Sequence, residues 1–281
     1  MAAETDTVPT SVGYQTRALE RALAILDCFS RERAELTTKD LHGLLDLPKP
    51  TISRLAAMLH RKGYLRRVGN VYELGPKTFE LGSLYVRQNP SLDSCRRPLE
   101  SLAATSRQTS CLGQLAGANI VHLLVAASPM PVQHVTETGS RAPAHATGLG
   151  KAILATLEPE DVDAVMGPGP YERFTTNTIC DRPQLFVELE LIRRRGYAMD
   201  DEESSPGLKC VAVALEFEHL GLGAVSVSGA GGDFSKGAIR TFVGQLRSSA
   251  LELQHALAQA GEYGDDGPVL ALMGAGRRRP A

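Results

Sequence analysis

The chain has 281 residues, of which 43% are apolar and 22% charged, with 30 Lys and Arg against 32 Asp and Glu. This length suits two domains of about 150 residues each, and the composition is that of an ordinary soluble globular protein. A net charge of −2 excludes a protein that coats nucleic acid along its whole surface, but not one with a local basic site.

Cys28, Cys95, Cys111, Cys180 and Cys210 are widely spaced, and no C-x-x-C occurs. That pattern fits a reducing compartment and offers neither a disulfide framework nor a zinc cluster, so no cofactor is expected. The first fifteen residues, MAAETDTVPTSVGYQ, lack an apolar core for a leader. No run of about 18 uncharged apolar residues suggests a membrane span. A cytoplasmic protein with no membrane partner is expected.

Residues 1–13 lack periodicity and read as a flexible arm. Residues 16–30 carry the i, i+3, i+4, i+7 stripe of an amphipathic helix. Thr37 or Thr38 is placed to cap a short helix from near Lys39, which Pro48 ends. Pro50 suits the first turn of the next helix, and Gly63 stops it. Residues 64–74 read as two short strands around Gly69-Asn70. Together these elements make a winged helix-turn-helix over residues 14–78, followed by a linker helix over 79–91.

From Ser91 the pattern changes to helix 92–106, then strands 109–116, 119–127 and 131–137. Helices follow at 148–157, 158–166 and 183–195, the last closed by Gly196. Strands 197–201, 208–217 and 222–230 precede a long helix over 235–259. Antiparallel-type strands with flanking helices over 92–260 give an α+β domain, and residues 261–281 form a Gly-rich flexible tail.

Between Leu47 and Tyr72 there is no acid, yet Lys49, Arg54, Arg61, Lys62, Arg66 and Arg67 fall in this window. Ile52, Leu55, Ala56 and Leu59 share one helix face. Ser53, Arg54, Ala57 and Arg61 share the other, with Thr51 and Met58 at the edge. A small, polar, basic face can enter the major groove, where Arg reaches guanine. Lys49 and the N–H groups at the helix start would meet phosphate. Arg66 and Arg67 would ride the backbone from the wing, and Thr38 and Pro50 complete the expected DNA-binding set. A charge run is often only a solvated face, but the order of elements favours double-stranded DNA.

Here the chain resembles the IclR family of bacterial transcriptional regulators. The first domain carries the likeness in RALERALAILDCFS, LPKPTISRLAAMLHRKGYL and YELGPKTFELG. The second carries it in GSRAPAHATGLGKAILA, RRRGYAMDDEESSPGLKCVAVAL and GAVSVSG. The resemblance implies a winged-helix domain, a linker helix and a GAF/PAS-like domain with an antiparallel sheet that binds a small-molecule effector. It also implies a homodimer or homotetramer joined through the N-terminal domains, and control of a catabolic operon by a small organic or aromatic acid. Pro50 departs from the family, in which a serine or similar residue is usual.

Three segments are expected to form the effector pocket. Gly148, Leu149 and Gly150 stand just before a helix, where free N–H groups could meet an anion; the bland alternative is a tight junction that needs glycine. Asp200 and Cys210 match positions the resemblance assigns to the effector. Otherwise they are a surface acid and a small buried hydrophobe. Ser226 and Ser228 alternate onto one face of a strand, with Val225 and Val227 on the other. No catalytic residue is expected, because GAVSVSG is not G-x-S-x-G and His122, His134 and His145 are scattered. A small-molecule enzyme and a ligand-independent DNA binder remain the alternatives.

Overall fold

The computed structural model describes residues 11–261, apart from Glu32, 131–135 and 218–219. The chain divides into two compact units, one ending at Gln88 and the other beginning at Asn89.

In the first unit, α1 (Ser11–Asp27), α2 (Thr38–Leu45) and α3 (Lys49–Arg61) surround a core built on Ile25, Leu41, Ile52, Leu55, Leu65 and Tyr72. Strands β2 (Leu65–Val68) and β3 (Val71–Leu74) form the hairpin. The two-residue β1 (Leu36–Thr37) adds to β3, giving the order β1-β3-β2. Thr37 is the cap of α2. Its side chain accepts from Asp40 N while the Asp40 carboxylate accepts from Thr37 N, so the two orphan donors satisfy each other. Thr38 is therefore the first helical residue. Helix α4 (Pro76–Gln88) starts three residues before the expected linker helix because Pro76 suits a first turn. Helix α1 likewise begins before residue 16.

In the second unit, α5 (Pro90–Ser94) and α6 (Arg96–Ser106) split the expected helix at Cys95. A six-stranded antiparallel sheet follows, in the order β6-β5-β4-β9-β8-β7. Its strands are β4 (Thr109–Ala116), β5 (Asn119–Ala126), β6 (Arg141–Pro143), β7 (Ala198–Asp201), β8 (Leu208–Phe217) and β9 (Leu220–Ala230). The expected strand over 131–137 falls mostly outside the described residues, and the third strand of that meander is β6. Helices α7 (Gly148–Leu154), α8 (Pro159–Met166), α9 (Arg182–Arg195) and α10 (Lys236–Gly261) complete the unit. Alternation sends Val211, Val213, Val225 and Val227 to one face, against Leu99 of α6 and Leu246 of α10. Ala198, Ala212, Ala224 and Cys111 face the other way, against Leu149, Ile153 and Leu189 of α7 and α9. Small residues on this second face let α7 lie close to the sheet, and every residue of α7 is buried.

Candidate functional site

Helix α3 buries Ile52, Leu55, Ala56 and Leu59 and exposes Lys49, Pro50, Ser53, Arg54, Ala57 and Arg61. The spacing of Pro50, Ser53/Arg54, Ala57 and Arg61 makes one continuous outward stripe. Thr51 is half-buried at its edge, and so is Thr38 at the start of α2. The helix start differs from expectation. Pro50 has no N–H, and the N–H groups of Thr51 and Ile52 both turn to the Pro48 carbonyl, at 2.9 and 3.1 Å. These two N–H groups are therefore not open to a phosphate, unlike the expected helix start. On the wing, Arg66 pairs with Glu73 across the hairpin. Arg67 donates from Nε to Gly69 O at 3.0 Å and stacks 5.8 Å from the Tyr72 ring centre. Both arginines are exposed.

In the second unit, register aligns a polar row across four strands. Asp200 of β7 pairs with Cys210 of β8, Cys210 with Ser228 of β9, and Ser228 with Thr109 of β4. The next row on the same face is Ala198, Ala212, Ser226 and Cys111. Ser226 hydrogen-bonds both thiols, while burial pushes Cys111 up to about 12 and Cys210 upward as well. Neither thiol is a nucleophile in that state. Asp200 is buried, not a surface acid. Its carboxylate accepts from Glu203 N at 2.7 Å, Ser204 N at 3.3 Å and Ser204 Oγ at 2.5 Å, and burial raises its pKa.

The glycines of the GLGK segment answer to packing. A Cβ on Gly148 would stand 2.9 Å from Cys210 Sγ, and one on Gly150 would collide with the Ala144 backbone. Leu149 covers Gly113 on the sheet. Thr147 Oγ1 already accepts from Gly150 N at 3.1 Å, and Thr147 O from Lys151 N at 3.0 Å. The expected anion seat thus loses the Gly150 N–H to a capped, close-packed helix start. It still brings Gly148 onto Cys210.

Sequence reasoning missed Thr109, Cys111, Lys151 and Glu203. Lys151 is fully buried and pairs with Glu203, which is 6% exposed. The signal was a lone lysine inside GLGKAILATL, since a buried ammonium requires an acid partner. Segment 171–178 closes over this corner. Thr175 and Thr178 donate to Glu202 O and Glu203 O, each at 2.7 Å, and Asn177 to Asp201 O at 2.9 Å. Tyr171 and Phe174 stack on His145 at 5.2 and 5.9 Å. Ser226, in the second row, is only 1% exposed, whereas Ser228 of the polar row is half-buried. A cavity of about 670 Å³ lies elsewhere, lined by residues that include Ala152, Ile192, Arg193, Val213 and Arg247.

A winged helix-turn-helix in one unit and a polar row on an antiparallel sheet in the other are the parts of a two-domain DNA-binding regulator. The chain belongs to the IclR family of bacterial transcriptional regulators. Residues 18–69 match the IclR helix-turn-helix domain, and residues 84–255 match the C-terminal domain of the bacterial transcriptional regulator IclR. It is 31% identical to the HTH-type transcriptional regulator BhcR of Paracoccus denitrificans, over 89% of this chain and 90% of that protein. It is 31% identical to XynR of Escherichia coli, over 86% and 97% of the two chains. An IclR transcriptional regulator from Silicibacter sp. TM1040 superposes with a TM-score of 0.75 at 28% identity, covering 90% of this chain and 98% of that one. A homologue from Microbacterium hydrocarbonoxydans, solved with 4-hydroxybenzoate, shares the fold at 22% identity and a TM-score of 0.69, covering 86% and 99%. No helix among the described residues is long and apolar enough to cross a membrane.

Proposed function

We propose that this chain reads a specific operator through the outer face of α3 and grips its backbone through the wing. A small organic acid bound over the Asp200–Cys210–Ser228 row changes that affinity. The observation that carries the reading is the division of α3 into a fully apolar inner face and a small, basic outer one. Arg54, Ser53 and Thr51 read bases, while Lys49, Arg61, Arg66 and Arg67 hold phosphates, with Thr38 and Pro50 at the margin. Asp200, Cys210, Ser226 and Ser228 floor the effector patch, and the helix turn of Gly148, Leu149 and Gly150 bounds it where Gly148 packs on Cys210. The domain limits are 14–78 and 92–260, with 79–91 as the connection.

The active form is a homo-oligomer joined through the DNA-binding units. Leu19 and Leu23 of α1 and Phe79, Leu84 and Val86 of α4 are exposed, and Phe79 reaches 79%. Large apolar side chains so exposed on two helices mark an interaction face. Effector and DNA then influence one another reciprocally, by about 1–3 kcal/mol.

The test is fluorescence anisotropy with DNA from upstream of the gene and with scrambled DNA, at two salt concentrations. A salt-sensitive preference for the native segment is expected. Equal binding to both sequences would remove the operator reading, and no binding at low salt would remove DNA. A ligand-independent binder has one observation in its favour, the burial of Ser226. It predicts that no small acid alters the anisotropy.

A further inference from the structure

Lys151 is the hub of a buried ionic cluster inside the second unit. Its ammonium contacts Glu203 and lies 3.9 Å from Glu188 of α9, which Arg195 also holds at 2.7 Å. It is near enough to Asp200, Cys210 and His145 to act on their titration. Asp200, Glu203 and Glu188 thus face Lys151 and Arg195, leaving one acid in excess. His145 adds no compensating charge, because burial holds its imidazole below its ordinary value. The two thiols stay protonated. Glu203 Oε1 receives Lys151 and, at 3.4 Å, Asp201 N. Glu203 Oε2 is buried and has no hydrogen-bond partner among the described residues. The turn bearing it holds Glu202 at φ 59°, a strained value for a side-chain-bearing residue. Segment 171–178 pins the same turn through its carbonyls.

Glu203 is paired with Lys151 through Oε1, but its cluster carries one carboxylate more than its cations and its buried Oε2 has no donor; a proton on Oε2 resolves both. We propose that Glu203 is the proton-holding group of the effector patch: an anionic effector settling beside Asp200 is accompanied by transfer of one proton from solvent to Glu203 Oε2. This rests on the patch being the effector site. Without the proton, an anion would raise the buried excess to two negative charges. With it, the excess stays at one, and Lys151 keeps Oε1 in place.

Burial pushes Glu203 up to about 7, consistent with a proton exchanged near neutrality. For a carboxyl raised above its unfolded value, native stability is greatest below the ordinary carboxylate range. It is lost as pH rises through the folded value.

Thermal unfolding of the full chain and of Glu203→Gln, from about pH 5.5 to 8.5, should show the wild-type midpoint falling relative to the variant through neutrality. Acetate, pyruvate and 4-hydroxybenzoate serve as calorimetric probes. Affinity for an acid that binds should fall by about tenfold per pH unit above neutrality in wild type and stay flat in the variant. If Glu203→Gln does not fold, the double variant Lys151→Met, Glu203→Met replaces the pair with apolar volume and should be equally flat. Parallel midpoints in wild type and variant overturn the proposal, as does pH-independent binding of the probes. Divergent midpoints with no probe bound at any pH leave the Glu203 proton standing but remove the effector reading, and the proposed uptake with it.

Discussion

Arg54 and Arg67 carry the same charge in one unit, and their settings underlie the division of work proposed for them. Arg54 stands on the outward stripe of α3, whereas Arg67 is tethered by Gly69 O at the wing turn. Arg54→Ala should cost about 1–3 kcal/mol on the operator and relax preference at one position, read by anisotropy on single-base variants. Arg67→Ala should weaken all sequences alike and lower the slope of log K against log salt by about one. At this scale the sequence was informative where periodicity decides. The inward and outward residues of α3 follow from 3.6-residue spacing, and Ser226 and Ser228 from alternation. It was silent on Lys151 and Glu203, which meet across 52 positions. Glu203 sits among Asp201 and Glu202 and reads as solvated, and only the fold of the turn buries it.

Helix α7 shows how element packing sets the site. It lies on the alanine-rich face of the sheet because Gly148 lets it descend onto Cys210 and Gly150 lets it pass Ala144. Gly148→Ala should therefore destabilise the second unit by about 1–3 kcal/mol through overpacking. Adding Cys210→Ala should recover part of that loss, since the sulfur is the first atom the new methyl meets. Chemical denaturation of the two single variants and the double would measure the coupling. Strands β4 and β8 were legible to the residue because they are long and set off by glycines, Gly117 after β4 and Gly207 before β8. The two-residue β1 and the three-residue β6, with its Pro143, carry too little pattern to be seen, and their pairing to β3 and β5 is set by tertiary contact. The GLGK segment misled for a related reason. Glycines before a helix suggest open N–H groups, but Thr147 caps this one.

At the scale of the whole molecule, exposed Phe79 and Leu84 on α4 are where the proposed assembly is tested. Phe79→Ser with Leu84→Ser should leave the first unit folded, because neither residue belongs to its buried core. If the proposed homo-oligomer holds, it should lower the mass seen by light scattering and weaken operator binding far more than random binding, since dimeric readers bind two half-sites. The sheet has a different consequence. Strands β4 and β9 are neighbours at its centre, with Thr109 opposite Ser228. As the chain leaves the ribosome, the residues of the DNA-binding unit are all available early, whereas β4 waits for a strand encoded far downstream. Any message broken between those two points would yield the DNA-binding unit without the sheet that completes its partner domain.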